Sequence, residues 1–269
     1  MSGAAPASAF VRAEDGAWRA TQLTRGPWDP GHQHAGPPSA LAARAVLAAA
    51  APMGLAHLAR LTVNLLRPIP IDALSVAVNA DYAGRSSAHF SFSVVAQGKE
   101  VARGTALVQR ETPLALPEGL PGHPLPQAPR APADSPPGRF PFHSDADIGY
   151  SQLVETRVAA GEMFRGPCAI WFRLRHPIVA GESPLPAERV AVAADSGNGI
   201  SAILDFRKFL FVNTDLTINL LRPPKGEWVC IQAQTHFGPD SSGLAESRIY
   251  DEEGLIGRGT QSLVVRPRG

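Results

Sequence analysis

Cysteine is almost missing from this chain of 269 residues. Only Cys168 and Cys230 occur, both in apolar surroundings and neither in a spacing that pairs thiols for metal or redox work. They read as reduced packing residues. An excess of either charge is missing too: 25 basic side chains stand against 24 acidic ones, a formal net charge of +1, spread along the chain. Nucleic-acid binding needs a basic footprint that this balance does not supply, so no nucleic-acid partner is expected, while a small anionic ligand stays open. No long apolar run is present. The nearest, over 40–59, is rich in alanine and interrupted by Arg44, Pro52, Gly54 and His57, which argues against a membrane span. The opening MSGAAPASAFVRAEDG has no basic segment followed by an apolar one, so no secretory signal is read there. The expectation is a soluble, cytoplasmic protein without a membrane partner. A Gly-x-Ser-x-Gly elbow is also absent, and neither cysteine has an evident histidine partner, which is consistent with chemistry that needs no covalent nucleophile.

What the chain does have is a phrase said twice. Leu61-Thr62-Val63-Asn64-Leu65-Leu66-Arg67-Pro68 returns 155 positions later as Leu216-Thr217-Ile218-Asn219-Leu220-Leu221-Arg222-Pro223, with one Val/Ile exchange. At the same offset Ser86-Ser87 returns as Ser241-Ser242 and Arg103-Gly104-Thr105 as Arg258-Gly259-Thr260. One unit has been duplicated and fused, each half long enough to bury a core. Duplicated units need not keep their chemistry in both copies, so the positions where the copies disagree are where function is sought.

In the first half, Gly36-Pro37-Pro38 opens an alanine-rich helix over 39–50, because prolines fit a first helical turn whose N–H groups would be unpaired anyway. Pro52 and Gly54 end it. Alternating apolar residues predict strands over 58–67, 74–83, 89–96 and 101–109, with a hairpin turn at Gln97-Gly98-Lys99-Glu100. The half therefore reads as a helix followed by a four-stranded antiparallel meander. The second half predicts strands over 155–159 and 169–175, a helix over 184–192 running into Asp195-Ser196-Gly197-Asn198-Gly199, and strands over 210–222, 228–237, 245–251 and 255–265. Between the halves, 111–142 holds ten of the 26 prolines and almost no apolar period, so it reads as an extended linker over the surface with no legible chemistry. The division is an N-terminal half over 1–112, a linker over 113–144 and a C-terminal half over 145–269.

A long helix against a strongly bent antiparallel sheet, duplicated in one chain, is an α+β arrangement with the layout of the double hotdog fold. Three stretches make the resemblance specific: Ala193-Ala194-Asp195, Asn213-Thr214-Asp215 with Arg222-Pro223 following, and Gly259-Thr260-Gln261 with Arg266 after it. Together they resemble the acyl-CoA thioesterase II, or TesB-like, family. The resemblance implies hydrolysis of an acyl-CoA or related thioester, without metal or organic cofactor, by a water held between an Asp, a Thr or Ser, and a Gln of the second half. The matching positions are Asp195, Asn213 and Gln261. Asn213 departs from the hydroxyl the family has there, and Thr214 beside it is the alternative if a bulge turns its hydroxyl inward. At the repeat offset these polar residues face Leu58 for Asn213, Ala59 for Thr214 and Ala106 for Gln261, which predicts one site per fused pair.

The chemistry suits these groups. A carboxylate can orient or deprotonate a water, and amides can fix it against a carbonyl carbon. The oxyanion is expected at backbone N–H groups of a helix N-terminus, with Gly36 as provider. Blander readings stand beside each assignment: Asp195 as a helix-end carboxylate serving the next turn, Gln261 as a strand amide, and Asp215 with Arg222 as an ion pair or strand-end contact. Two other functions are kept open. One is a catalytically silent acyl-CoA-binding protein. The other is a hotdog enoyl-CoA hydratase using Asp29 and His34, although Pro30-Gly31-His32-Gln33 lacks that family's Asn-Pro. His32 and His34 as a metal pair lack any further ligand at a supporting spacing. Exposed sheet edges leave a homo-oligomer of such subunits open.

Overall fold

Two prolines start the first helix, and small side chains decide what lies against it. In a computed structural model that describes residues 6–120, 124–140 and 148–268, Pro37 and Pro38 occupy the first turn of α1 (Gly36–Ala50). Ala40, Ala42 and Ala43 are fully buried, so α1 can lie close beside α3 (Pro186–Ala194) of the other half. The approach is tight enough that a Cβ on Gly36 would stand 2.8 Å from the Val192 carbonyl oxygen. Arg44 of α1 ties the helices further, reaching Glu188 of α3 at 2.6 and 2.9 Å. A short turn over Ala51–Met53 and Gly54, at φ 66, release the chain toward the sheet.

Around these helices curls a 13-stranded antiparallel sheet, counted among the described residues. Its strands are β1 (Phe10–Arg12), β2 (Trp18–Ala20), β3 (His57–Leu65), β4 (Ala73–Ala83), β5 (Ser87–Ala96) and β6 (Lys99–Gln109). The second half adds β7 (Val154–Ala160), β8 (Cys168–Leu174), β9 (Phe209–Asn213), β10 (Asp215–Leu220), β11 (Val229–Phe237), β12 (Ser242–Asp251) and β13 (Gly254–Pro267). Short helices α2 (Tyr150–Leu153) and α4 (Gly197–Ile200) complete the set. The predicted strands and both long helices are present. β1, β2 and α2 had no periodic signal, being too short to show one. The loop between β5 and β6 narrows to Gln97-Gly98, both at positive φ, the geometry that matches the twist of a two-residue hairpin.

The order across the sheet, β1-β2-β4-β5-β6-β3-β10-β13-β12-β11-β8-β7 with β9 also on β13, corrects the expected meander. β3 does not pair with β4. It crosses to the far side of β6, and β10 does the same beside β13. The physical reason lies in the repeated phrase. Crossing over frees one edge of β3 and one edge of β10, and each covers the other, which removes two exposed edges at once. Thr62 stands opposite Thr217, its own duplicate, with Leu61 opposite Ile218 and Val63 opposite Leu216. A patch that pairs with its own copy in this way is what a two-fold interface requires. The Thr217 and Thr62 hydroxyls meet at 3.2 Å on the axis, and Leu61, Val63, Leu216 and Ile218 face one continuous core beneath both halves.

Three further details differ from the sequence reading. The single strand expected over 210–222 is broken at Thr214 into β9 and β10, where β3 carries only a register shift near Ala59. Arg222 pairs with Asp251, through contacts of 2.5 and 2.7 Å, and not with Asp215. Asp215 instead accepts from the Ser262 N–H at 2.6 Å, because it sits at the strand break where that amide has no ladder partner. The described part of the proline-rich linker does lie along the sheet. Pro126 accepts from the Leu255 N–H and Arg130 from the Trp171 indole, over a small second core of Trp171, Trp228, Cys230 and Tyr250. The expected start of the second half at Asp145, and Pro121 and Pro141 of the linker, lie outside the described residues. Both cysteines are buried and free, and burial pushes the Cys168 thiol up to about 12. Among the described residues no helix is long and apolar enough to cross a membrane.

Candidate active site

The second helix does what the first does not: it stops in the middle. α3 ends at Ala194, Asp195 and Ser196 follow, and α4 takes up the chain at Gly197. The interruption turns Asp195 toward β9 and β13. Asn213, the last residue of β9, donates from Nδ2 to Asp195 Oδ1 at 2.8 Å. Gln261 of β13 donates from Nε2 to the Asp195 carbonyl at 3.1 Å and lies 3.5 Å from Oδ1, while its Oε1 accepts from the Asn198 N–H at 2.9 Å. Gly197 permits this, since a Cβ there would come within 3.0 Å of Gln261 Oε1. Asp195 is 4% exposed and Gln261 2%. A buried carboxylate is costly unless donors meet it, and donors with a full charge opposite them make stronger bonds than neutral pairs do.

The other Asp195 oxygen belongs to the first half. His34 Nδ1 stands 2.9 Å from Oδ2, on the loop that leads into α1. The imidazole is stacked on the ring of Tyr150, with centroids 3.8 Å apart and planes 6° from parallel. Tyr150 is held in turn by its hydroxyl, 2.8 Å from both the Val192 carbonyl and Ser196 Oγ, and burial pushes its phenol well above the ordinary range.

Asp195, Asn213, His34 and Tyr150 border a cavity of about 560 Å³ to which both halves contribute, and Gln261 lies behind Asp195. From the first half come 26–29, 32–35 and 65–69; from the second come Asp195, Ser196, 198–200 and 210–214. Trp28, Phe140, Tyr150, Phe164, Phe206 and Phe211 give it an aromatic wall, and Arg67 and Arg266 also line it. Trp28 meets Phe211 edge to face at 5.3 Å, which joins the halves across the cavity. An apolar chamber with a few convergent polar groups is the usual form of a small-molecule site.

Asp195, Asn213 and Gln261 are thus brought together. Thr214 is not. It lies on the cavity wall, but its hydroxyl is 3.3 Å from the Ser262 carbonyl, and its N–H is bonded to that same oxygen. The strand break turns Thr214 back onto β13 instead of inward. Gly36 also departs from expectation, because its N–H points to His34 Nδ1 at 3.1 Å and its Cα is pressed against α3. Glycine is needed there for helix packing, and its amide is not open to the cavity. The Asp29 and His34 dyad does not form either. Asp29 accepts from the Gly31 N–H at 2.7 Å and lies 3.4 Å from His32, while His34 goes to Asp195. The sequence reading therefore missed the His34 pairing, Tyr150 and Asn198. His34 was visible two residues before a helix start, but its partner lies in the other half.

Comparison with known proteins gives the class. Residues 24–109 match the family model of the acyl-CoA thioesterase N-terminal domain, and residues 122–265 match that of the acyl-CoA thioesterase C-terminal domain. The chain belongs to the acyl-CoA thioesterase family. Among solved structures it is similar to a candidate thioesterase II from Thermobifida fusca YX, with TM-score 0.72, 14% identity, and 97% of this chain and 96% of that one covered. A hot dog fold protein of unknown function from Alicyclobacillus acidocaldarius gives TM-score 0.70 at 18% identity, covering 98% and 97%. Acyl-CoA thioesterase II TesB2 from Mycobacterium marinum gives 0.64 at 15%, covering 97% and 96%. At these identities the shared property is the double hotdog fold. No curated protein sequence matches the chain.

Proposed function

We propose that this protein hydrolyses acyl-CoA, or a related thioester, to free acid and thiol, with the attacking water held among Asp195, Asn213 and Gln261. The observation that carries the reading is the meeting of these three side chains beside an apolar cavity, at register positions where the other half has Leu58 and Ala106. An ionised carboxylate has about four acceptor sites, and the Asn213 and Gln261 amides use only part of that capacity, which leaves room for a water. The Asn213 amide takes the place of the hydroxyl usual in the family, with Thr214 turned away from it. The aromatic chamber would receive the acyl group. On family grounds we also propose a cytoplasmic place in lipid metabolism, and association of these subunits into homo-oligomers, which light scattering would test.

The deciding experiment measures thiol release from a panel of acyl-CoAs of different chain lengths. The wild-type protein is expected to release thiol, and Asp195→Asn and Gln261→Ala to lose most of that rate while remaining folded by circular dichroism at the assay temperature. Full rate in both variants would remove the site from the proposal. Binding without hydrolysis across the panel would favour the silent binding protein, and hydration of an enoyl-CoA the hydratase.

A further inference from the structure

Away from the cavity, the outer face of the sheet carries a row of cations that duplication alone does not explain. Residues directly opposite on neighbouring strands share a face, so the register sets Gln232, Arg248, Arg258, Asn219 and Arg60 side by side across β11, β12, β13, β10 and β3. Their chain neighbours Ile231, Ile249, Ile218 and Leu61 face the core, which turns the row outward. The matching row of the first half is Ala77, Ser93, Arg103 and Asn64, with Asp215 in the place of Arg60. Its one arginine is paired with Glu100. The second half has three, and among the described residues none of them is in an ion pair. Arg248 and Arg258 are exposed and, with Gln232, border a second cavity of about 370 Å³. Glu246 also borders it, but its carboxylate stands 3.8 Å from His236. The Tyr250 hydroxyl donates to Gln232 Oε1 at 2.8 Å, so the donor Nε2 is what this amide has left to offer. Arg60 Nε is buried without a partner.

We infer that this cavity binds a small organic phosphate, with Arg248 and Arg258 gripping the phosphate group and Gln232 donating beside them. Like charges directly opposite on a sheet destabilise it, so Arg248 facing Arg258 is a cost that the free chain carries. A phosphate dianion between them turns that repulsion into two charge-assisted contacts, for which the planar guanidinium fork is suited. Arg60, one strand beyond Asn219, adds positive potential from the same face. The cavity is larger than a bare phosphate fills, and Ala160, Pro167 and Ala169 give it an apolar side, which is why an organic phosphate fits better than the free ion. The copies again differ in one direction: Ser93 and Ala77 of the first half have become Arg248 and Gln232, and the acid of the row has become Arg60. The site lies across the sheet from Asp195, since Gln261 of β13 points inward where Arg258 points out, and it does not rest on the thioesterase reading.

Calorimetric titration and melting of the whole protein test this, with inorganic phosphate and adenosine diphosphate as probes and sodium chloride at matched ionic strength as reference. Wild type is expected to bind adenosine diphosphate saturably, with a Kd below about 1 mM, and to melt higher with it than in the chloride reference. Arg248→Ser, which installs the first half's residue, should weaken that binding about tenfold or more, and Arg258→Lys, which keeps the charge and loses the fork, should weaken it less. Arg103→Ser, at the duplicate position, should leave it unchanged. Without either probe Arg248→Ser should melt no lower than wild type, because the facing like charges are gone. Equal affinity for inorganic phosphate would assign the site to the phosphate group alone, the chemistry both probes share. A wild-type response that chloride reproduces, or binding that Arg248→Ser leaves intact, overturns the inference. So does a wild type that binds neither probe and sediments as an oligomer that Arg248→Ser disperses, which would give the row to a second subunit.

Discussion

The two halves share one strand plan and treat its equivalent positions in opposite ways. In the first, Phe90 of β5 stands opposite Ala106 of β6, and both are fully buried. In the second, the same pair is Ala245 opposite Gln261. The large residue has changed strands and become polar, and the small alanine leaves room for it. Leu58 opposite Val108 becomes Asn213 opposite Leu263. α1 runs unbroken where α3 and α4 part at Asp195, and β3 runs on where β9 and β10 part at Thr214. The difference teaches how a duplicated fold divides labour. One copy fills these positions with apolar side chains, and the other interrupts one helix and one strand where Asp195, Asn213 and Gln261 meet, beside a cavity lined by both halves.

The largest effects should come from the site itself. Asp195→Asn is expected to lower the rate of thioester hydrolysis about 1,000-fold, because an amide cannot take a proton from the water. Paired substitution sharpens the comparison: Gln261→Ala with Ala245→Phe rebuilds the first half's packing in the second. That protein should fold with a melting temperature close to wild type and hydrolyse nothing. Retained activity would break the proposed asymmetry.

The reverse exchange probes stability. Ala106→Gln places an amide where Phe90 fills the space and where the equivalents of Asp195 and Asn198 are Ala40 and Ala43 within the unbroken α1, unlike Gln261 with its contacts to Asp195 and Asn198. Overpacking together with an unpaired buried amide should cost roughly 3 kcal/mol in urea unfolding. A cost near zero would mean that the first half can relax into the second half's arrangement.

These contrasts also mark what the sequence could tell. Alternation and proline placement gave the strands and helices, since both depend on neighbours within a few residues. The offset between the copies drew attention to Asn213 and Gln261, because a polar residue at an apolar register position needs a reason. The strand order was not legible: alternation says which face a residue takes and not which strand lies beside it, so β3 was read next to β4. Nor was the pairing of His34 with Asp195, or the arrival of Tyr150 from beyond the linker, since both are contacts between segments far apart in the chain.

A smaller effect concerns acid. Asp251 is fully buried; burial alone would raise its pKa, but hydrogen bonds from Arg222 and from the Lys225 and Glu253 amides outweigh this and hold it below the usual carboxylate range. A depressed folded-state value means that its stabilisation is present above the unfolded pKa, near about 4, and is lost as pH falls through the folded value. The first half has Ala96 at the equivalent position and no such dependence there. Asp251→Asn should therefore flatten the acid side of the stability curve, measured by melting at stepped pH. An unchanged acid slope would show that the loss arises elsewhere.

The smallest effect tests the seam. Thr62 and Thr217 are each other's duplicate and each other's partner, joined by one hydroxyl contact at 3.2 Å. Valine keeps the shape of threonine and removes only the hydroxyl. If the two-fold relation governs the seam, Thr62→Val and Thr217→Val should each cost about 0.5–1 kcal/mol, equal within error, because each leaves the other hydroxyl half-buried without its partner. The double variant should cost less than the sum, since replacing both groups removes the unpaired one and leaves β-branched side chains suited to a sheet. Equal singles with a sub-additive double would mean that the seam kept its symmetry while the two interiors diverged. A difference between the singles larger than about 1 kcal/mol would show that the asymmetry of the site extends to the axis, a larger contribution than one partly exposed hydroxyl pair supplies.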